Sequence, residues 1–355
     1  MKSILMLTMY GDLAASSRQR MHQYVPAFEE DKFTVDIQPL FPNNYLEDLF
    51  AKKKPFFLKV LFWYVKRLYI ISRASKYDCI IIQYELFPLM PSIFERYILL
   101  FNTDLILDYD DAIFHKYDLW GNGLTKFFLS KKLQPLLSSA KAVICGNQYI
   151  YDWANMHCQN CILIPTVVDI NRYGPKINTP QKSNLIIGWI GSPATWVYME
   201  PLLPTLKNLA HQYDFQILII GSGSAESADA EVEFRDWHEE SEVADIHSMD
   251  IGIMPLFDDP WAKGKCGYKL IQYMACGIPV IASPIGVNTQ IIDNYENGLF
   301  ASSTGEWRVA LEKIIKDTDL RSAMGDKGLL KVHESYSLQK FSPKFIGLIQ
   351  SIIQN

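Results

Sequence analysis

The feature that most constrains this chain is a rhythm: short apolar runs, each closed by polar or turn residues, recur between helical stretches. Strands that are apolar along their whole length are covered on both faces, and their alternation with helices is the pattern of a parallel α/β sheet. In the first half such runs fall at 4–9, 79–83, 104–108, 142–145 and 161–164. The rhythm breaks at 169–184, where a glycine, two prolines and several polar side chains read as a linker. It restarts at Leu185 as Leu-Ile-Ile-Gly-Trp-Ile-Gly, and further strands are predicted at 215–220, 250–254 and 279–282. A chain of 355 residues exceeds one ordinary core, so two α/β domains are expected, over 1–168 and 185–335. The remaining segment, 336–355, reads as a helix.

Charge and cysteine content narrow the function. A net charge of −5 argues against a general nucleic-acid binder, which shows a basic domain or stripe. The basic side chains favour the first half: residues 1–168 hold 18 Lys/Arg against 16 Asp/Glu, and the rest 16 against 23. Six cysteines in so long a chain make no disulfide framework and suit a reducing compartment. Cys158 and Cys161 have CxxC spacing without the second ligand pair of a zinc site, and read as structural. Met1-Lys2 leads straight into a strand-like run rather than a secretory leader, and no apolar run is long enough to span a bilayer. A cytoplasmic protein is expected.

Residues 51–77 contain eight basic and no acidic side chains, interleaved with Phe56, Phe57, Phe62, Trp63, Tyr64 and Tyr69. Lys52, Lys59, Lys66 and Arg73 fall seven apart, which on a helix makes one basic stripe beside a broad apolar face. Two readings stand: a solvated stripe on a buried helix, or a peripheral element that lays aromatics into the anionic inner face of a membrane.

The densest cluster of signals runs from Asp250 to Gly298: Asp-Ile-Gly-Ile-Met-Pro-Leu, then Trp261-Ala-Lys-Gly-Lys-Cys-Gly-Tyr-Lys-Leu-Ile-Gln-Tyr-Met-Ala-Cys-Gly277-Ile-Pro-Val. A loop with Gly264 and Gly267 lets backbone approach a ligand, and the helix it opens, from about Tyr268, presents unpaired N–H groups that favour phosphate. Lys263, Lys265 and Lys269 crowd this loop and suit a diphosphate, including the charge that grows on it as a glycosidic bond breaks. The block resembles the donor-binding motif of glycosyltransferase family 4. Many members carry two glutamates here, at the positions of Gly264 and Gln272; Gln272 retains donors and acceptors for ribose hydroxyls, and Gly264 does not replace its acid.

The resemblance extends along most of the chain. Gly191, Ser192 and Thr195 follow a strand where the family's second domain faces the diphosphate, and Pro255 and Leu256 stand where its backbone meets the base. Tyr268, Leu270 and Gln272 complete the predicted nucleotide face. In the first domain, strand 4–9 runs into Tyr10-Gly11-Asp12 with no GxGxxG, which speaks against a dinucleotide-dependent dehydrogenase. Gly11 is similar to the family's donor-facing glycine; Arg18 or Arg20 either holds phosphate or an anionic acceptor, or is a surface arginine. Asp108, Asp110, Asp111 and His115 close another predicted strand, where buried carboxylates need a partner or a purpose. Asp110 and Asp111 are candidates for orienting the acceptor, divalent-metal binding being the competing role. His115 is a candidate proton shuttle or sugar contact, with a structural histidine as the alternative.

The resemblance implies the GT-B fold: two Rossmann-like domains with parallel sheets facing across a deep cleft, the last helix crossing back to the first domain. It implies transfer of a sugar from a nucleotide-diphosphate sugar, a UDP or GDP sugar, to a glycan or lipid-linked acceptor, with retention at the anomeric carbon and no metal or other cofactor required. Bacterial polysaccharide assembly is the expected setting. Two rivals stand beside it: a sugar-nucleotide epimerase of the same fold, and a catalytically silent membrane-associated scaffold.

Overall fold

The computed structural model describes residues 1–50, 53, 56–101, 104–119, 123–175, 184–223 and 231–354. Lys52 of the basic stripe and residues 176–183 of the predicted linker lie outside the described residues. The chain forms two compact units. The first comprises Met1–Thr166, Gly264–Cys266 and Phe341–Asn355; the second comprises Val167–Lys263 and Gly267–Lys340.

The first unit is built on six parallel strands, β1 Lys2–Tyr10, β2 Phe33–Phe41, β3 Cys79–Gln83, β4 Asp104–Tyr109, β5 Ala142–Cys145 and β6 Cys161–Leu163, in the order β2-β1-β3-β4-β5-β6. Ile4 to Leu7 and Cys79 to Ile82 are almost wholly buried, as a sheet packed on both faces requires. Phe345, in the helix Leu338–Ile353, meets Tyr24 at 5.1 Å and Phe28 at 5.2 Å between ring centres, so the end of the chain closes this unit's core.

The second unit repeats the plan with β7 Leu185–Ile190, β8 Phe215–Ile220, β9 Val232–Arg235, β10 Ile251–Met254, β11 Val280–Ala282 and β12 Gly298–Phe300, in the order β12-β11-β10-β7-β8-β9. Side chains of β8 alternate between two cores: Ile217 and Ile219 join one, Leu218 and Ile220 the other. Tyr173, inside the stretch read as linker, is buried in the second of these cores, and Val168 pairs with Ser337.

In both sheets the strand order reverses once, between β1 and β3 and between β7 and β10. Ligands of open α/β sheets bind beyond the carboxyl ends of the strands at such a reversal. Gly191 follows β7 and Pro255 follows β10, so both flank the reversal of the second sheet. The helix Tyr268–Ala275 is fixed beside it by Tyr273, whose ring lies where a side chain at Gly252 would stand and whose hydroxyl accepts the Ile190 N–H at 2.9 Å.

The helix Phe57–Ile71 departs from the reading of a buried helix. Only Arg67 and Ile71 are buried. Leu58, Leu61, Phe62, Val65 and Tyr69, on one face at helical spacing, are exposed, with Lys59 and Lys66 along the flank of that face. Arg67 donates to the Thr8 carbonyl at 2.7 Å, and burial pulls its guanidinium down to about 9.

Candidate active site

On the second unit, the turn after β7 and the helix Tyr268–Ala275 bring together four predicted residues. Gly191 leads into a capping turn in which the Ser192 N–H donates to Thr195 Oγ1 at 3.0 Å. Lys269 Nζ donates to the same Thr195 oxygen at 3.4 Å and lies 5.1 Å from the centre of the Trp189 ring. Gly267 caps the helix at φ 64, a left-handed conformation that a residue without Cβ adopts freely. The result is a helix start with a lysine in its first turn and two hydroxyls opposite, an arrangement suited to a phosphate. Lys263 pairs with Asp258 at 3.0 Å, both largely solvated, a pair too weak to hold the ammonium from a stronger anion.

Tyr268 and Gln272 face a second, buried cluster. Gln272 Nε2 donates to the Tyr173 hydroxyl at 3.1 Å, and that hydroxyl donates to Glu242. Trp237 Nε1 donates to the other Glu242 oxygen at 2.8 Å, and the Tyr268 hydroxyl lies 3.3 Å from that of Tyr173. The departure from the family's glutamate therefore has a physical setting: a carboxylate at 272 cannot donate to Tyr173 and would place a second acid near buried Glu242. Neither Tyr173 nor Glu242 carries a motif signal, and a tyrosine inside a presumed linker gave no reason to look there.

Four predicted nucleotide contacts, Leu270, Leu256, Pro255 and Lys265, are engaged within the fold itself. Leu270 is fully buried, so its side chain belongs to the core. Leu256 N–H donates to Ser283 Oγ at 3.0 Å and Pro255 is buried, which leaves neither that amide nor a proline nitrogen to donate to a base. Gly264 and Lys265 pack with the first unit, where their carbonyls accept from Asn147 Nδ2 at 2.8 and 3.0 Å.

On the first unit, Gly11 ends β1 with its N–H on the Phe41 carbonyl at 3.1 Å. Arg18 and Arg20 are not surface arginines. Arg18 is buried and donates to the Asp12 and Leu13 carbonyls at 2.7 and 2.9 Å, shaping the turn after β1. Arg20 is committed to Asp108 and to the Ile164 carbonyl, so Asp108 is a structural ion pair. His115 has both ring nitrogens engaged: Asp118 holds Nδ1 at 2.9 Å and Tyr149 holds Nε2 at 2.8 Å.

Asp110 is different. It is buried just past the end of β4, with Oδ1 unpartnered among the described residues. Desolvation lifts its carboxyl to about 7, neighbouring Asp111 adds to the rise, and Arg20 opposes it. Its backbone carbonyl accepts the Cys266 thiol at 2.8 Å. Tyr84, which donates to the Asp110 carboxylate, is held at φ 64 by a buried clamp in the following loop. Lys132 Nζ there reaches Glu85 at 2.6 Å, Glu95 at 3.1 Å and the Phe87 carbonyl at 2.7 Å. A non-glycine residue in that conformation persists only where its surroundings enforce it, and such strain gathers at functional sites. Among the described residues no group of three or more His, Cys, Asp or Glu could hold a metal ion.

Two doubly wound parallel sheets give the chain the GT-B fold. Residues 184–317, within the second unit, match the family model described as Glycosyl transferases group 1. Sucrose-phosphate synthase from Thermosynechococcus elongatus has the same fold, with a TM-score of 0.75 at 16% identity over 100% of both chains. HepE of Anabaena, solved in complex with UDP and glucose, superposes with a TM-score of 0.69 at 15% identity, covering 99% of this chain and 100% of that one. The capsular polysaccharide biosynthesis glycosyltransferase CapM of Staphylococcus aureus is 24% identical over 181 residues, 48% of this chain and 47% of CapM. The chain thus matches about half the length of that curated relative.

Proposed function

We propose that this protein transfers a sugar from a nucleotide-diphosphate sugar to a glycan or lipid-linked acceptor, with the donor on the second unit and the acceptor on the first. The observation that carries this reading is the Lys269–Thr195 pair at the start of a glycine-capped helix, beside the strand reversal of the second sheet. The diphosphate docks there, its charge met by Lys269, the helix N–H groups and the hydroxyls of Ser192 and Thr195. As the bond between the anomeric carbon and the diphosphate oxygen breaks, the same groups take up the growing charge, and the acceptor oxygen bonds to that carbon. Asp110 orients the acceptor hydroxyl, whose proton leaves toward the departing diphosphate. Retention follows the family resemblance. UDP is favoured over GDP by the UDP-bound state of HepE.

The exposed apolar face of the helix Phe57–Ile71, flanked by Lys59 and Lys66, supports peripheral attachment to an anionic membrane face and an acceptor that resides there. No helix among the described residues is long and apolar enough to cross a membrane. The decisive experiment mixes the protein with UDP- and GDP-sugars and membrane extracts, and follows sugar incorporation. Appearance of an epimeric sugar nucleotide without transfer would replace this reading with the epimerase.

A further inference from the structure

Beside the same helix lies a cavity of about 400 Å³ lined by Asn44, Phe56, Leu58, Lys59, Phe62 and Trp63. Four of these side chains are large and apolar, and Phe56, Leu58 and Phe62 remain 62%, 58% and 64% exposed. A concave apolar surface left so open is the mark of a binding site. Its back wall is a cluster of packed aromatic rings. Trp63 meets Tyr45 at 5.6 Å and Phe41 at 5.7 Å, Phe41 stacks on Tyr45 at 4.4 Å, and Phe41 lies 5.9 Å from Tyr10 at the carboxyl end of β1. The rings therefore run unbroken from the cavity to the edge of the sheet that carries the candidate acceptor site.

The geometry points to a hydrocarbon-chain subsite: one hydrocarbon chain of a lipid phosphate lies between Phe56, Leu58, Phe62 and Trp63, with its phosphate at Lys59. Charge selects this occupant over an apolar peptide or a second copy of the chain. Among the described residues Lys59 is the only cation lining the cavity and has no ion pair, and no acidic residue occurs from 51 to 77. The cavity volume suits a single small-molecule chain. This assignment rests on the reading of a lipid-borne acceptor and adds where its tail is held, as distinct from where the helix meets the bilayer.

Farnesyl phosphate, kept monomeric, is the probe, titrated calorimetrically into the full chain alongside inorganic phosphate. Leu58→Asp with Phe62→Asp alters the cavity, and Val65→Asp with Tyr69→Asp alters only the outer part of the same helix face, beyond the cavity lining; all four side chains are exposed, so both variants should keep the wild-type melting temperature. Leu58→Trp fills the cavity without adding charge. Farnesyl phosphate should bind the wild type and the outer-face variant alike, bind both cavity variants at least about tenfold more weakly, and resist displacement by inorganic phosphate. Equal binding by the cavity variants, or equal loss in the outer-face variant, would overturn the subsite. UDP titrations of the same proteins report the donor site separately, so an unchanged UDP affinity beside a failed farnesyl phosphate result leaves the transferase reading standing.

Discussion

The guanidinium of Arg20 holds both carboxylate oxygens of Asp108, its Nε at 3.1 Å from one of them, with neither side chain exposed. Two residues further on, Asp110 has no ion-pair partner among the described residues: Tyr84 donates to its carboxylate and Oδ1 is left unpartnered. Two aspartates of one acidic cluster are thus sorted by a single arginine: Asp108 stays paired within the fold, and Asp110 faces its own desolvation with a carboxyl near neutrality.

Asp110→Asn tests that division. Because the folded carboxyl sits above its ordinary value, protonation accompanies folding; the associated stability is complete below the ordinary carboxylate range and is lost as pH rises through about 7. The variant should melt higher than wild type at pH 8 and equally at pH 4, while transfer falls by about a hundredfold. Differential scanning calorimetry at the two pH values and a turnover assay check both halves, and wild-type turnover in the variant would remove Asp110 from the site.

Lys269→Ala should weaken UDP binding by about 1.5–3 kcal/mol, the worth of a charge-assisted contact, without lowering the melting temperature of the free protein by more than a few degrees. Isothermal titration supplies the number. An unchanged affinity would mean that the diphosphate docks elsewhere.

Gln272→Glu restores the acid of the family pattern, yet it should destabilise this chain by roughly 1–3 kcal/mol, because the donor to Tyr173 is lost near buried Glu242. The new carboxyl would be raised by burial, so the loss should be small at pH 4 and grow as pH climbs through its folded value. Urea melts across that range decide the matter; a variant as stable as wild type at pH 8 would contradict the hydrogen-bond direction.

Lys132→Met leaves buried Glu95 without its ammonium and buried Glu85 with only half-exposed Lys116, at 3.7 Å. A cost of about 3–5 kcal/mol is expected, with proteolysis appearing first in the loop after β3. Limited proteolysis with mass mapping would show it, and a cleavage pattern like that of wild type would dismiss the clamp.

Charge reversal by Lys59→Glu and Lys66→Glu should release the protein from anionic vesicles while leaving it folded, since both lysines are exposed. Liposome sedimentation is the measurement, and equal retention would indicate that the helix does not touch the bilayer.

The strands legible from sequence are those with neighbours on both sides. β1, β3, β4 and β5, and β7, β8, β10 and β11, lie inside their sheets and show as plain apolar runs. Of the edge strands only β6 is readable; β2, β9 and β12 are half-exposed or very short, and β2 carries Pro39, which an edge accepts and an interior strand does not. The site divides along a similar line. Gly267, Lys269 and the turn at Gly191 are signalled by residue type and position. The hydrogen bonds that tie down His115, Arg18 and Arg20 come from residues distant in sequence or from backbone carbonyls, and no local pattern announces them.

Phe345 fills the space between Tyr24 and Phe28, more than 300 positions upstream. Translation runs from the amino end, so Tyr24 and Phe28 leave the ribosome long before Phe345 does, and the interior they share is sealed only afterwards. Until then two aromatic rings lie bare to chaperones, and a chain cut short before Phe345 would carry a first unit whose core stays unfinished.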